Sequence, residues 1–461
     1  MSSDLEALLP RETRLTKYPV ASLRELINLS LPLMLGLFSS CVMAFCNRLY
    51  LAHYSLNALE ACAGAAYLCT LFQHPCMRIT SMGQVFVGYF IGAGKLGRIG
   101  QSVWQMIWFS LISFIFTWPV SRWIGSSFFD GTSIQAGAMS YFTVMMYSNF
   151  LFPLGAALSS FFIGRGKTRI IFLTTLVSHA CNVILDPILI FGIDGWISPQ
   201  GVFGAAVSNS VSQALFCIIL LGLFLRKDER EKYGTHAYEF HWKTFWEQVK
   251  VGLPRAITRI FILTSWVYTA RIMTVKGGDF LLVLSVGSSL ILLFTFIHDG
   301  MGQGIVTVAS TLIGARDYKS IWKSVRSATV LLTCTTIFLA FPLIVFPGWT
   351  LSFFFAAPID PHSLVVLKQA CLWIWLYFFC YGYATVGLSL VIAGRDVHFY
   401  MFIALFVWLT TYLPAYFAFN YWGWSPDKLW GIMAVDSFIV GVLFLARASK
   451  EKWKEKALQF S

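Results

Sequence analysis

Apolar runs of about twenty residues recur from one end of this 461-residue chain to the other, interrupted only by short charged or Gly/Pro-containing stretches. A helix of that length, rising about 1.5 Å per residue, matches the roughly 30 Å hydrocarbon core of a bilayer. Transmembrane β-strands would be about ten residues long and would alternate apolar with polar positions. These runs do not alternate. The composition agrees, with 57% apolar and 12% charged residues and a mean hydropathy of +0.68. Soluble domains carry roughly a quarter charged residues, so a soluble enzyme is argued against. The fold class that follows is all-α and polytopic. Twelve transmembrane helices are expected at 26–52, 58–91, 102–122, 137–163, 169–192, 202–225, 248–275, 281–313, 323–347, 364–393, 397–421 and 429–447.

The net charge of +12 would suggest nucleic acid as a partner in a soluble protein. In a membrane protein it reports loop composition, and no nucleic-acid partner is expected. Most of the 34 Lys and Arg fall in the N-tail, the alternate loops at 93–104, 164–169, 226–250, 314–327 and 395, and the C-tail. The opposite loops hold Arg122, Lys276, Lys368 and Lys428. This asymmetry places both termini in the cytoplasm and agrees with an even number of spans. The N-terminus is polar and reads as having no signal peptide. The ten cysteines lie within apolar segments and form no C-x-x-C pair, so neither a disulfide framework nor a metal site is expected. Cys62, Cys69 and Cys76 repeat at heptad spacing and read as small residues at a helix seam.

The polar stretch 226–250 separates six spans from six. Leu31-Pro32 opens the first span as Leu253-Pro254 opens the seventh, and the same spacing carries Ile91-Gly92-Ala93-Gly94-Lys95 onto Ile313-Gly314-Ala315-Arg316-Asp317. Ile163-Gly164-Arg165 and Ile392-Ala393-Gly394 correspond at a nearby spacing. A register kept over that distance indicates parallel duplication of a six-helix unit, an architecture in which transporters place substrate between the halves. The domains expected are an N-tail (1–25), an N-lobe (26–225), a linker (226–247), a C-lobe (248–447) and a basic C-tail (448–461).

Enzymatic motifs are absent from the sequence. Gly92-Ala93-Gly94-Lys95 is followed by Leu96 where a phosphate loop needs Ser or Thr, and Gly166-Lys167-Thr168 is preceded by Phe161 where the leading Gly would stand. No cofactor is implied, and any transport would be driven by an ion gradient. Ionisable groups inside spans carry the sharper signal, because each costs about 2.5–3.5 kcal/mol at the bilayer centre. Asp186 and Asn182 lie one turn apart in span five, and Asn47 in span one and Asn209 in span six fall at a similar depth. A carboxylate among amide oxygens suits a small hard cation or an exchangeable proton. The alternative is a structural kink at Asp186-Pro187, with the acid bonded to freed backbone groups.

The remaining intramembrane charges are candidates for a substrate cavity: Asp299, Arg78, Arg259, Arg271 and Asp436. Asp299 in span eight and Arg78 in span two occupy near-equivalent positions of the two halves, and read either as a cycling salt bridge or as a structural pair. Arg48 and Arg271 lie near outer span ends, where snorkelling accounts for them. Arg255 reads as interfacial and Arg259 as deeper, and Asp436 could mirror the first-half acid. Aromatic residues make up 17% of the chain and could line a cavity, although lipid-facing belts account for most such residues.

The run Asn182-Val183-Ile184-Leu185-Asp186-Pro187-Ile188-Leu189-Ile190-Phe191-Gly192, followed by Gly201-Val202-Phe203-Gly204-Ala205-Ala206, resembles the span five to six segment of the multidrug and toxic compound extrusion (MATE) family. Leu31-Pro32, Leu56-Asn57-Ala58-Leu59 and Ile91-Gly92-Ala93-Gly94 fit it too, as does the span count. The family lies within the multidrug/oligosaccharidyl-lipid/polysaccharide exporter superfamily. The resemblance implies two pseudo-symmetric six-helix lobes in a V shape and export coupled to inward flow of H+ or Na+. It places Asp186 and Asn182 in a first-lobe cation site, with Asn209 where a Thr often stands. Two departures matter. Asn47 occupies a position that is usually Asp, and the start of span seven carries Arg255 and Arg259 where some members have Glu.

The expectation is a multi-pass protein of the plasma (inner) membrane, monomeric, that exports small organic molecules by alternating access of its lobes, with H+ favoured over Na+ as coupling ion. Two alternatives stand beside it. One is an exporter or flippase of anionic amphiphiles that uses the intramembrane arginines, and the other is a membrane scaffold or receptor that does not transport.

Overall fold

The computed structural model describes residues 14–355 and 360–450. Residues 1–13 and the end of the basic C-tail, 451–461, lie outside the described residues. All twelve expected spans are helical, because a segment in hydrocarbon must satisfy its own backbone polar groups. The elements are α1 (Leu23–Tyr54), α2 (Leu56–Thr80), α3 (Gly83–Gly92), α4 (Arg98–Phe129), α5 (Gln135–Tyr147), α6 (Leu151–Gly164), α7 (Thr168–Phe191), α8 (Gly201–Phe224), α9 (Lys227–Tyr233), α10 (Trp242–Lys276), α11 (Gly278–Gly314), α12 (Tyr318–Ala340), α13 (Pro347–Ser352), α14 (Pro361–Ala393), α15 (Val397–Val407), α16 (Leu413–Asn420) and α17 (Lys428–Ser449). Among the described residues the only strand-like pairing is a bridge between Ile193 and Ile197.

Among the described residues, nine helical stretches are long and apolar enough to cross a membrane, or ten when α5 and α6 count as one span. The other two expected spans are helical but more polar. Span 58–91 carries Gln73, His74 and Arg78 and breaks between Thr80 and Gly83, and span 248–275 carries Arg255, Arg259 and Arg271. Proline explains most of the remaining irregularities. The 43° bend between α5 and α6 precedes Pro153, which sits in the first turn of α6, where its missing N–H costs least. Span eleven widens into a π turn at Trp408–Tyr412, where Pro414 cannot donate to the carbonyl of Thr410.

The sequence repeat has a backbone counterpart. After α3, α6, α11 and α14 the chain turns through a left-handed residue, respectively Gly94, Gly166, Arg316 and Arg395, with φ of 69°, 73°, 58° and 58°. Each turn has one hydrogen-bond pattern: the left-handed residue donates three residues back, and its successor donates five back, as in Gly166 N–H to Ile163 O (2.9 Å) and Lys167 N–H to Phe162 O (2.8 Å). This helix-ending motif favours glycine, and the second half uses arginine in its place.

The chain forms two compact units. One contains Leu35–Ala256. Its core gathers Ala61, Ala65, Tyr141, Phe142 and Ile190, and α7 packs on α8 where Gly204 lets the Leu189 backbone approach. The stretch expected as a polar linker is a docked strap of this unit. Trp104 and Trp108 of α4 donate their indole N–H groups to the carbonyls of Thr235 (2.8 Å) and Tyr238 (2.9 Å). Gln105 bonds both Glu239 O and His241 N–H. Arg165 pairs with both oxygens of Glu229, at 2.7 and 3.1 Å, and lies between the rings of Phe161 and Tyr233.

The other unit contains Thr16–Met34 together with the chain from Ile257 onward. Its core gathers Leu290, Leu367, Ile374, Phe378 and Trp430. Gly387 of α14 packs against Phe444 of α17, and Gly300 and Gly304 of α11 receive Met34 and Ser30 of α1. Small residues are how helices approach closely in a membrane.

Candidate functional site

The four residues expected at the cation site are brought together in the first unit. Asn47 on α1 donates its amide to Oδ2 of Asp186 on α7 at 3.2 Å. One turn earlier on α7, the Asn182 amide donates to Ser208 Oγ (2.9 Å) and to Asn209 Oδ1 (3.2 Å), both on α8. Asn209 in turn donates to the Tyr141 hydroxyl of α5 at 3.1 Å. Asp186 and Asn182 are each 0% exposed, and Asn47 is 6% exposed.

Two oxygens in this network lack a donor. Oδ1 of Asp186 and Oδ1 of Asn182 are buried without a hydrogen-bond partner. Leaving such acceptors bare costs roughly 1–3 kcal/mol each, and more for a charged group. Two bare oxygens one turn apart on one helix face, one of them a carboxylate's, suit a proton or a monovalent cation. The kink alternative predicts that the acid is occupied by backbone groups at Pro187, whereas Asp186 is engaged by the side chain of Asn47.

Two members of the network, Ser208 and Tyr141, were not singled out from the sequence, and a third, Cys62, was read only as a packing residue. Ser208 faces both Asn182 and Asp186, Tyr141 ends the amide chain, and the Cys62 thiol lies 3.9 Å from Asn47 Oδ1. The run Ser208-Asn209-Ser210 was the available signal for the first. Cys62 also packs in the core of this unit, as the heptad of cysteines suggested.

The candidate cavity residues divide between the two units. Arg78 belongs to the first unit, in the last turn of α2, and is exposed. Arg259, Asp299, Arg271 and Asp436 belong to the second. Arg259, Asp299 and Asp436 lie close enough to the buried Tyr377 to act electrostatically on its hydroxyl. The Thr410 hydroxyl at the π turn donates to Asp436. Arg271 and Arg48 are exposed, and Arg255 is buried against Met82.

Comparison with known proteins agrees with this architecture. The MatE family model matches residues 32–188 and 254–417, more than half of the chain. A relative from Thermotoga maritima, designated a probable multidrug resistance protein NorM, is 22% identical over 442 residues, covering 94% of each chain. The multidrug export protein MepA of Staphylococcus haemolyticus is 23% identical over 44% of each chain. Among solved structures, a transporter of the MOP superfamily from Pyrococcus furiosus, described as having a binding pocket of reversed polarity, superposes with a TM-score of 0.84 at 15% identity over 97% of this chain and 99% of its own. A eukaryotic MATE transporter superposes with a TM-score of 0.77 at 17% identity, over 95% and 97%. The two-lobed, all-helical multi-pass fold is thus shared with solved transporters, and the chain belongs to the MatE family, whose members are membrane transporters and not enzymes.

Proposed function

We propose that this protein exports small organic molecules across the membrane in exchange for protons, with Asp186 as the coupling acid. Asn47, Asn182 and Asn209 hold the acid and its ion, and Tyr141 and Ser208 complete the network. The observation that carries this reading is the pair of buried oxygens without donors, Oδ1 of Asp186 and Oδ1 of Asn182. A single carboxylate takes one proton, or one Na+ with amide oxygens as further ligands. One carboxylate without a second acid beside it favours the proton. Family membership and the names of the relatives support multidrug export. In this reading the lobes alternate access, the termini face the cytoplasm, and the monomer resides in the plasma membrane.

The test is efflux from proteoliposomes holding purified protein, with a cationic and an anionic dye offered under an imposed pH gradient and then an imposed Na+ gradient. Proton-driven efflux of the cation, lost in Asp186→Asn, is the expected result. Normal proton-driven efflux by Asp186→Asn overturns it. Movement of the anion alone would establish the second reading, which rests on five Arg against three Asp within the spans and assigns Arg78, Arg259 and Arg271 to an anionic amphiphile. Movement of neither dye supports the scaffold.

A further inference from the structure

Two polar bridges join α1 to α7. One is Asn47 with Asp186 (3.2 Å), and the other is Ser39 Oγ with His179 Nδ1 (2.8 Å). Seven residues separate His179 from Asp186, two helical turns, or about 10 Å along the axis on the same face. Asn182, with its bare buried oxygen, falls between them on that face. The seam is close as well, since a Cβ on Gly36 of α1 would lie 4.0 Å from the Thr175 side chain of α7.

The surroundings single out one acid for this base. From Leu35 onward α1 carries no carboxylate, its charged and titratable side chains being Cys41, Cys46, Arg48, Tyr50, His53 and Tyr54. On α7 itself the others are Arg169, Cys181 and Asp186. The helices α6 and α8, which pack on α7, carry no charged side chain and one thiol, Cys217. Asp186 is therefore the only carboxylate on α6, α7, α8 and the part of α1 from Leu35 onward, and His179 stands on its α7 face toward the helix start. The Ser39 hydroxyl lies 2.8 Å from Nδ1; in the tautomer in which Nδ1–H donates to that hydroxyl, Nε2 holds the open lone pair that can take a proton.

We propose that His179 is the proton acceptor between Asp186 and the cytoplasm, passing protons along the α1–α7 seam. The inference rests on the proton-coupled reading above. In the step, the carboxyl O–H of Asp186 breaks, intervening water beside Asn182 breaks one O–H for each it forms, and an N–H bond forms at Nε2. Asp186 is left as carboxylate and the ring as imidazolium, which then gives its proton to cytoplasmic water. Well-placed proton transfer is worth about 10²–10⁴-fold in rate.

The experiment uses the full chain in proteoliposomes and reads lumenal pH during dye efflux for His179→Gln, His179→Ala, Ser39→Ala and Asp186→Asn. Proton-coupled rates are expected to fall at least about tenfold in both His179 variants with dye binding retained, and added imidazole is expected to restore His179→Ala. Ser39→Ala, the milder change, is expected to transport with a displaced pH profile. Wild-type rates and pH profile in the His179 variants, beside an inactive Asp186→Asn, overturn the relay alone. So does loss of transport in His179→Ala that imidazole does not restore, which would mark a structural role. Normal transport by Asp186→Asn overturns the coupling reading instead.

Discussion

The Asn47 side chain reaches Asp186 through its amide nitrogen, so it gives the carboxylate a donor where a second acid would give it a competitor. The site therefore holds one negative charge at most. In the proposed function, replacing that amide by a carboxylate is the most direct way to change which ion the site selects.

Asn47→Asp sets two carboxylates at hydrogen-bond distance within a buried pocket. Their mutual repulsion is relieved by a bound cation. The variant is expected to gain thermal stability in NaCl relative to choline chloride by more than the wild-type protein does, read from melting curves in detergent. The gain follows RT ln(1 + [L]/Kd), about 2.7 kcal/mol at a hundredfold excess over Kd. Equal Na+ responses in the two proteins would show that the second carboxylate does not join the first in holding the ion.

The four equivalent turns make a prediction of opposite signs. Arg316 is exposed and holds φ of 58°, a conformation that costs an L-residue about 1 kcal/mol or more. Arg316→Gly is expected to stabilise the protein by about 0.5–1 kcal/mol, and Gly166→Ala to destabilise it by about 1 kcal/mol. Thermal unfolding of both variants checks this.

Glu229 is the acid of the strap that pairs with the two terminal nitrogens of the buried Arg165 guanidinium. Glu229→Ala leaves that charge buried with only ring faces beside it, at a cost of about 1–3 kcal/mol. The strap is expected to become accessible to limited trypsin digestion around Arg226–Lys232, while digestion elsewhere is unchanged. Continued protection would mean that the Trp104, Gln105 and Trp108 hydrogen bonds hold the strap unaided.

At Gly387 an added Cβ would come within 2.7 Å of Phe444 Cβ and 3.1 Å of the Leu445 nitrogen. Gly387→Ala is expected to push α14 from α17 and cost about 1–3 kcal/mol. A smaller Phe444 partner, as in Gly387→Ala with Phe444→Leu, should recover part of that loss.

Span existence was legible because a hydrocarbon solvent leaves the backbone no alternative to helix, and the repeat was legible because the left-handed turns demand glycine or tolerate few substitutes. The Asp186 network was legible for a similar reason: polar groups at matching depth must find one another. What the sequence did not disclose were the breaks at Thr80–Gly83 and at the π turn Trp408–Tyr412, which depend on how neighbouring helices accommodate a proline or a close approach. Tyr141 and His179 escaped notice because one aromatic or one histidine among many acquires meaning only from its partner on another helix. The docking of the 226–250 stretch on α4 was not legible because it rests on backbone carbonyls, which every residue has.

Both α1 and α10 change units part-way along, after Met34 and after Ala256, each three residues beyond the start of its Leu-Pro pair. Cutting the chain within 226–241 would therefore not yield two self-sufficient fragments. The first would lack the turns Trp242–Ala256 that complete its own unit, and the second would lack Thr16–Met34. The two polypeptides are expected to fold only when produced together, each supplying the missing first turns of the other.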